Sequence, residues 1–581
     1  MKFSKKDCEY LRLQAKQKFE NYCKQTWIDC GRWAAPHRTK WLLNQKEGER
    51  VNQHIVDATH ILALRSYVAG FLEGNTSASR PWFRLASSDP EANLVPENRT
   101  WLDKLTRRAL TTLGNSNFYH SAGQFYQDFG VFNTSAYYID ELRGKLFFHN
   151  LMPGSYYVIN NGYGEAVVLV REFTMTVKAL VDTYGQKKNG KADWSNFSSR
   201  VKKLYEQGNY TQTIDVVHIV KQNSAFDVNQ PVAMLNKQWL SYTYEVGSTN
   251  GGQYYIDSFE EDSTPDPRED SVYLKVSASK RKPFIVGKSS EGTFEYGETG
   301  PTLNALGLIK SLNKKAIAKD QALEQMLRPA LQGPAALKRS YITHAPNSYV
   351  PLDAQAHAQS QGKGLRPIFE INPAIGALIQ DVGDIRQQVE KLYFADYLLF
   401  LSQNPKTRTA TETNAVLNEQ QLIIGPNLQS LNYTHNIPVV DFVLDYILDE
   451  DPYFTQNPMP EALSGNWVRT EFISVFAQAQ RAADLPSIER YMTMVAEVGQ
   501  LNPQIFDKVN IDKLADLYED RLYLPPGLNN PQSKVDAQRE QAKQQALRQQ
   551  ALTEMAPAMA ATQVDRTNAE AARAAIPKEK K

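Results

Sequence analysis

The tripeptide Gly287-Lys288-Ser289 is the first place in the sequence that could carry chemistry, because a Walker A phosphate loop ends in this form. That loop, G-x-x-x-x-G-K-S/T, cradles phosphates with the backbone N–H groups of a glycine-rich turn. Its first glycine would fall at position 282, where the sequence has Lys282. The phosphate cradle is therefore incomplete, and the sequence does not predict an ATPase.

Cysteine and histidine have no spacing typical of a metal site. The three cysteines, Cys8, Cys23 and Cys30, lack a C-x-x-C pair, which argues against both a zinc site and a disulfide framework. His54 and His60 are expected to lie on one helix and to point to different faces, so we interpret both as structural. We predict no metal and no cofactor.

The acidic run from Asp257 to Asp270 lacks the alternating ligands and the mid-loop glycine of a calcium-binding EF-hand. It contains prolines and is expected to be a solvated loop. The sequence also has neither H-E-x-x-H nor G-x-S-x-G, the motifs of zinc proteases and serine hydrolases. We therefore predict no catalytic residues and no enzyme activity.

The charge balance argues against tight binding of nucleic acid along a basic face. Lys and Arg total 65 against 64 Asp and Glu, whereas a protein that grips DNA usually has a strong positive excess. No apolar run approaches the length of about 18 residues that a membrane span requires. The first residues contain no apolar core of a signal peptide. We expect a soluble intracellular product.

The period of the apolar residues changes along the first half of the chain, which predicts an α+β fold. Residues 6–130 place leucine and aromatic residues at helical spacing. Residues 136–290 contain short β-branched and aromatic segments separated by turns, which predict strands. Two helices, 177–184 and 194–207, are expected to interrupt them.

Two long helices, within residues 301–330 and 373–400, are predicted after this body. The second has apolar residues at alternating steps of three and four, a narrow seam suited to packing against another helix. The pattern also fits an ordinary amphipathic core helix, and it does not reveal whose helix the seam meets. The seam residues are Ile375, Leu378, Val382, Ile385, Val389 and Leu392.

A polar segment, residues 401–409, separates the second long helix from a further helical region that begins near Thr409 with the capping-box form S/T-x-x-E. Helices are expected over 471–484, 487–499 and 511–521. Residues 531–581 are rich in Ala and Gln with few large apolar side chains, so they predict a marginal helix or a disordered tail.

Charge is distributed unevenly over the second half. Residues 409–468 contain no Lys or Arg but eight acidic residues, whereas residues 301–340 contain seven basic residues against two acidic ones. Two solvated faces explain this pattern, and so do complementary surfaces that meet between copies.

Several short motifs follow one another along the chain: Arg80-Pro81-Trp82-Phe83, Trp101-Leu102, Ser116-Asn117-Phe118, Tyr296-Gly297-Glu298-Thr299-Gly300-Pro301, Ala305-Leu306, Thr409-Ala410-Thr411-Glu412, Leu422-Ile423-Ile424-Gly425-Pro426, Glu471-Phe472-Ile473-Ser474 and Ala477-Gln478-Ala479-Gln480-Arg481. In this order they resemble the motifs of the portal, or head-to-tail connecting, proteins of podoviruses. The family usually has one residue between the two glycines of its YG-x-GP motif, whereas this chain has two. Only their order and spacing together indicate the family.

This resemblance implies a ring-forming phage portal fold. Its parts would be a wing (1–300), a stem helix (301–330), a clip (331–372), a second stem helix (373–400), a tunnel loop (401–409), a long kinked helix of the wing (410–465) and a helical crown with an Ala/Gln-rich tail (466–581). The tunnel loop would present Asn404, Lys406 and Arg408 to DNA.

The resemblance also implies partners and a place. The chain would form a homo-oligomeric ring, a dodecamer, at one vertex of a virion assembled in the host cytoplasm. Double-stranded DNA would pass through the ring during packaging and ejection. The ring would contact the terminase large subunit, tail adaptor proteins, and the major capsid and scaffolding proteins, but no membrane. The alternatives are a tail adaptor ring protein and, less favoured, a DNA-packaging enzyme.

Overall fold

The computed structural model divides the chain into two units, residues 1–477 and residues 478–581. The structure describes residues 5–43, 45, 48–89, 92–142, 144–185, 187–188, 191–192, 194, 196–224, 226, 236–246, 273–289, 295–327, 331–332, 358, 366–367, 375–395, 424–463, 468–473, 485–501, 514, 535 and 537–547.

The first unit combines helices with antiparallel sheets. Its helices are α1 (Lys5–Tyr22), α2 (Lys24–Ala34), α3 (Lys40–Leu43), α4 (Thr59–Asn75), α5 (Pro96–Asn115), α6 (Phe118–Phe132), α7 (Val177–Tyr184), α8 (Ser199–Glu206), α9 (Pro301–Leu327), α10 (Ile375–Leu392), α11 (Ile437–Glu450) and α12 (Pro452–Gln456). Residues 424–431 are also helical and continue into α11 through a π-helical turn, Asn432–Asn436. Short 3-10 turns occur at Pro36–Arg38, Ala92–Leu94 and Glu461–Leu463.

The strands between these helices form sheets with antiparallel neighbours. They are β1 (Phe83–Ser87), β2 (Thr134–Leu142), β3 (Lys145–Asn150), β4 (Tyr156–Asn160), β5 (Ala166–Thr176), β6 (Lys187–Lys188), β7 (Lys191–Ala192), β8 (Thr213–Gln222), β9 (Trp239–Glu245), β10 (Lys275–Ser279), β11 (Phe284–Lys288), β12 (Leu331–Gln332), β13 (Arg366–Pro367) and β14 (Val468–Phe472). A five-stranded sheet has the order β10-β9-β8-β5-β4, and a three-stranded sheet has the order β11-β2-β3. The predicted α+β class is confirmed.

The described part of the first unit has three further pairs of strands: β1 with β14, β6 with β7, and β12 with β13. The last pair brings residues near the two ends of the predicted clip together, because Leu331 lies opposite Pro367. Most of the segment between these strands lies outside the described residues.

Strand β14 corrects the helix predicted over residues 471–484 at its start. It pairs with β1, so that Phe83 lies opposite Phe472 and Arg84 opposite Glu471. The Arg84 guanidinium forms an ion pair with the Glu471 carboxylate at 2.8 Å, and the ring of Trp82 stacks on that of Phe472. The partner strand lies almost four hundred positions earlier, so local periodicity could not reveal this pairing.

One apolar core joins the N-terminal helices, the sheets and the paired helices α9 and α10. Its centre is aromatic: the Trp27 ring lies 5.2 Å from Phe19 and 5.5 Å from Tyr296. Tyr296 is buried and its hydroxyl accepts a hydrogen bond from the Val158 amide. A smaller cluster under α7 and α8 contains Leu180, Val181, Phe197, Val201, Ile214 and Val216.

Two local expectations differ from the structure. Helix α8 begins at Ser199 rather than at 194, because the Ser198 hydroxyl caps it by accepting a hydrogen bond from the Val201 amide. His54 lies in the loop before α4 and not on a helix. Both His54 and His60 donate a ring N–H to backbone carbonyls of α2, those of Arg32 and Trp33. Their interpretation as structural residues agrees with these contacts.

The described part of the second unit is mainly one helix, α13 (Leu485–Leu501), close to the predicted helix over 487–499. Val495 is buried, whereas Tyr491 and Met494 are half exposed. Residues 537–547 are also helical.

Candidate functional site

Helices α9 and α10 pack against each other and against the N-terminal helices, and they form the most extended helical pair of the described structure. The buried residues of α9 recur at steps of four and three, which turn one face of the helix towards its neighbours. The apolar residues in this repeat are Ala305, Ile309, Leu312 and Ala316. This regularity agrees with the long helix predicted within residues 301–330.

The seam of α10 is buried within a single chain. Val382, Ile385 and Val389 are at most 7% exposed in the isolated chain, and all belong to the main core. Leu378 and Leu392 are partly buried. Ile375 begins the helix, but its side chain lies outside the described residues. The partner of the described seam is therefore a helix of the same chain, a point the sequence left open.

A polar network around the buried Asp57 ties α10 to the start of α4. The Arg386 guanidinium forms an ion pair with the Asp57 carboxylate, with Nη2 at 2.7 Å from Oδ2. The other oxygen of Asp57 accepts a hydrogen bond from the Thr59 amide at 2.9 Å. Burial by itself raises the pKa of Asp57, but these hydrogen bonds and the charge of Arg386 outweigh burial and lower it. Asp57 is therefore ionised at neutral pH.

Asn313 makes the corresponding connection from α9. Its Oδ1 accepts hydrogen bonds from the amides of Val56 and Asp57, and its Nδ2 donates to the Ile309 carbonyl. Because Asn313 is 1% exposed, each of these polar groups is satisfied inside the protein rather than by solvent. The loop before α4 thus holds both long helices in one relative position.

The entry into α9 is built on close backbone packing around Asn133. This residue ends α6 in the left-handed conformation, with φ of 62°. A Cβ on Gly297 would lie 2.1 Å from the Asn133 carbonyl oxygen, and one on Gly300 would lie 1.8 Å from Asn133 Oδ1. Only glycine fits at these two positions, which gives the Tyr296-to-Pro301 motif a physical reason.

The C-terminal end of α10 contacts the N-terminal end of α9. Tyr393 is fully buried, and its hydroxyl lies 2.7 Å from Thr302 Oγ1. Thr302 in turn donates to the Gly130 carbonyl at 2.8 Å. The next residue, Phe394, has a φ of 55°, which stops the helix. A cleft of about 490 Å³ lies here, lined by Pro301, Asn304, Leu308, Gln388, Leu392, Phe394 and Asn427.

His435 is a core residue that the sequence reasoning missed. It lies in the π-helical turn, and its ring stacks on Phe125 with centroids 4.0 Å apart. Burial lowers the pKa of His435 to about 4, although a hydrogen bond with Asn436 opposes this shift. The imidazole is therefore neutral at pH 7, and a lone histidine between asparagine and threonine carried no sequence signal for this role.

Gly287, Lys288 and Ser289 are not part of a phosphate loop. Gly287 and Lys288 lie in strand β11, opposite Ser135 and Thr134 of β2. The Lys288 ammonium donates to the Gly164 carbonyl at 3.0 Å. The extended backbone cannot wrap around a phosphate, which agrees with the rejection of an ATPase.

Metal-binding chemistry is not indicated in the part of the chain that the structure describes. No group of three or more His, Cys, Asp or Glu residues lies close enough there to hold a metal ion. Burial raises the pKa of Cys8, Cys23 and Cys30 to about 12, so these thiols stay protonated. None of the described helices is both long enough and apolar enough to span a membrane.

The residues predicted to face DNA, Asn404, Lys406 and Arg408, lie outside the described residues, as does the acidic run 257–270. The nearest described residues on either side of 401–409 are Ala395, shortly after the end of α10, and the helical residues from 424.

Comparison with known proteins identifies relatives along nearly the whole chain. The family described as "Bacteriophage head to tail connecting protein" matches residues 5–259 and 263–529. The "Probable portal protein" of Bordetella phage BPP-1 is 29% identical over 523 residues, covering 89% of this chain and 88% of that protein. The "Portal protein" of Salmonella phage epsilon15 is 29% identical over 525 residues, with the same coverage.

Among solved structures, a chain of the "Virion of native gene transfer agent (GTA) particle" covers 84% of this chain at 10% identity. The TM-score is 0.31.

Proposed function

The chain belongs to the family of bacteriophage head-to-tail connecting proteins, and we propose that it is the portal subunit of a short-tailed DNA phage. The family resemblance predicted from the short motifs is confirmed. The observation that carries the proposal is the length of the match, which takes in residues 5–259 and 263–529. The two relatives, both named as portal proteins, match over 89% of the chain. A structural role fits this family better than an enzymatic one.

The subunit acts in a closed ring, a dodecamer, in which α9 and α10 form the stem. Because the described seam of α10 is used within the chain, the contacts between neighbours fall on the exposed faces of the helices. Apolar side chains are available there: Ile317, Leu323 and Met326 on α9 and Ile379 on α10 are each at least 39% exposed in the isolated chain. Their burial between copies favours association, since apolar area removed from water contributes roughly 25 cal/mol per Å².

The wing is the body that precedes α9, and the junction around Asn133, Thr302 and Tyr393 supports the stem on it.

Lys310 and Lys315 of α9 already form ion pairs with Asp29 and Asp381 of the same chain. The basic stretch 301–340 is thus partly neutralised within the subunit. Salt-sensitive attraction between copies consequently rests on fewer charges than the sequence suggested.

Double-stranded DNA passes through the ring during packaging and ejection. A channel along which DNA slides must bind it weakly, and a chain of nearly balanced charge satisfies that need. Residues 401–409 form the tunnel loop, where Asn404, Lys406 and Arg408 contact the phosphates.

The clip, residues 331–372, docks the terminase large subunit and then the tail adaptor proteins. The major capsid and scaffolding proteins surround the wing at one vertex of the virion, which assembles in the host cytoplasm. The ring itself hydrolyses nothing, because the energy for packaging comes from the terminase motor.

Electron microscopy and native mass spectrometry of the purified full-length protein test the proposal together. We expect rings with a central hole and a mass of a dodecamer. Compact monomers at micromolar concentration, with no rings on addition of scaffolding or capsid protein, would overturn the portal assignment.

A further inference from the structure

Arg171 belongs to a row of residues that lie opposite one another across the five-stranded sheet. In register, Arg171 of β5 lies opposite His218 of β8, His218 lies opposite Thr243 of β9, and Thr243 lies opposite Lys275 of β10. Directly opposite residues of antiparallel strands project from the same face. The row therefore carries two cations and a histidine on one face, with no acid among them.

The guanidinium of Arg171 packs against aromatic rings instead of a carboxylate. Its Cζ atom lies 4.9 Å from the ring centre of Tyr138 on β2 and 4.8 Å from that of Phe173 on β5. Stacking of this kind occupies the flat faces of a guanidinium and leaves the N–H donors around its edge available.

Among the residues that the structure describes, those donors find no partner. Within the described part of the chain, Arg171 forms no ion pair with a carboxylate within 4.0 Å, and its guanidinium makes no hydrogen bond. The acid that acts on it electrostatically, Asp140, accepts instead a hydrogen bond from the Glu141 amide at 2.9 Å. Arg171 is only partly exposed, but its guanidinium nitrogens keep contact with solvent, so a ligand from solution can reach them.

The two histidines near Arg171, His218 and His149, add no charge of either sign. The His218 ring lies 4.9 Å from Tyr138, and its Nε2 is 2.6 Å from Ser241 Oγ. Burial lowers the pKa of His218 well below its ordinary value, and the charges of Arg171 and Lys275 lower it further. Burial and Arg171 also lower the pKa of His149. Both imidazoles are neutral at pH 7, and the site retains a net positive charge.

We propose that Arg171 is the centre of a binding site for a single oxyanion, a carboxylate or a phosphate, held by the edge of its guanidinium. Arginine suits such a ligand because two parallel N–H groups match the spacing of two oxygens. Duplex DNA is a poor candidate, because its phosphate backbone is bound by several cations spaced along it, whereas this site offers one partly buried arginine. The oxyanion comes either from free phosphate or from an acidic side chain of a second copy. This inference does not depend on the proposed portal function.

Chemical modification of the full-length protein tests the site without any substitution. Phenylglyoxal reacts with accessible arginines, and peptide mass mapping gives the rate at each one. At equal ionic strength, we expect phosphate or acetate to slow the modification of Arg171 by about tenfold relative to chloride, as near-saturating occupancy would. Arg65, which is exposed on α4, provides the control and should react equally in all three salts.

The two sources of the oxyanion give different results in assembled and dissociated protein. Protection of Arg171 on assembly, without added anion, indicates a carboxylate from a second copy. Protection in both states only after phosphate is added indicates the free ion. Equal rates in phosphate, acetate and chloride, with no change on assembly, would overturn the proposal.

Calorimetric titration with inorganic phosphate decides the matter if phenylglyoxal does not reach Arg171. Arg171→Gln should weaken phosphate binding by about tenfold or more, the usual effect of losing a charge-assisted pair. Arg171→Lys should retain part of the affinity, and Asp140→Asn should retain or increase it. Circular dichroism and melting temperature report whether each variant is folded. If titration of the wild-type protein with phosphate gives no more heat than titration with chloride, the proposal is wrong.

Discussion

The side-chain oxygen of Thr302 lies 2.7 Å from the hydroxyl oxygen of Tyr393, which joins the first turn of α9 to the end of α10. Thr302 has one hydroxyl proton, and the Gly130 carbonyl accepts it at 2.8 Å. Tyr393 must therefore donate to Thr302. Two helices whose connection lies largely outside the described residues are thus fixed to each other, and to α6, at a fully buried point.

The contact between Thr302 and Tyr393 predicts that substitutions of the two residues have non-additive effects on the free energy of unfolding. Thr302→Val leaves the Tyr393 hydroxyl buried without a partner, and we expect it to reduce the free energy of unfolding by about 1–3 kcal/mol. Tyr393→Phe removes one hydrogen bond and should reduce it by about 1 kcal/mol. Urea denaturation of both single variants and the double variant measures the coupling. Thr111→Val, on the exposed face of α5, serves as the control. Strictly additive effects would show that the two residues do not interact.

The seam of α10 predicts that folding and assembly can be separated. Val382→Asp with Val389→Asp places two charges in the core of one chain, so the subunit itself should lose several kcal/mol of stability and fail to assemble. Ile379→Asp, on the same helix but 57% exposed, should leave the melting temperature unchanged within about 2 °C. In the proposed ring it should weaken association, seen by size-exclusion chromatography. Wild-type rings from the Val382/Val389 double variant would contradict the packing described here.

Helix α11 predicts a dependence of stability on pH. Burial, followed by the negative charge of Asp445, raises the pKa of Asp441 to about 6. Since this value lies above that of an unfolded aspartate, the folded state holds its proton longer. The folded state is therefore more stable when Asp441 is protonated. This stabilisation is fully present below about pH 4 and is lost as the pH rises through 6.

Asp441→Asn should remove this dependence. We expect the variant to melt at a higher temperature than the wild type at pH 7.5 and to show little difference at pH 4. Asp182→Asn, at an exposed position of α7, is the matched control and should have the same effect at both values. Scanning fluorimetry measures the melting temperatures of the variants and the wild type at both pH values. A difference between variant and wild type that is independent of pH would rule out the assignment to Asp441.

The proposed tunnel loop predicts a loss of packaging without a loss of assembly. Lys406→Ala with Arg408→Ala removes the last basic residues before a stretch of sixty positions that has none. Rings should form normally, because exposed charges contribute little to stability. The yield of stably filled heads should drop. Lys202→Ala with Lys203→Ala, an exposed pair on α8, provides a control of equal charge change. Normal filling in the loop variant would remove Lys406 and Arg408 from the mechanism.

Elements defined by short-range patterns were predictable. Helix α7 runs from Val177 to Tyr184 as expected, and the β-branched segments within residues 136–220 form β2, β3, β4, β5 and β8. The two long helices also occur where the apolar repeat placed them, as Pro301–Leu327 and Ile375–Leu392. In each case the spacing of the apolar side chains predicts which face of the element is buried, and this spacing involves only residues that are close together in the sequence.

The sequence by itself thus determined the α+β class, the long helix pair and, through its ordered short motifs, the family. Only the tertiary structure decided which surfaces those elements use. The pairing of β1 with β14, the contact between Thr302 and Tyr393, and the row from Arg171 to Lys275 each join residues that are far apart along the chain. Such contacts leave no local periodicity, because their free energy comes from burial and from complementary polar groups that meet only after folding.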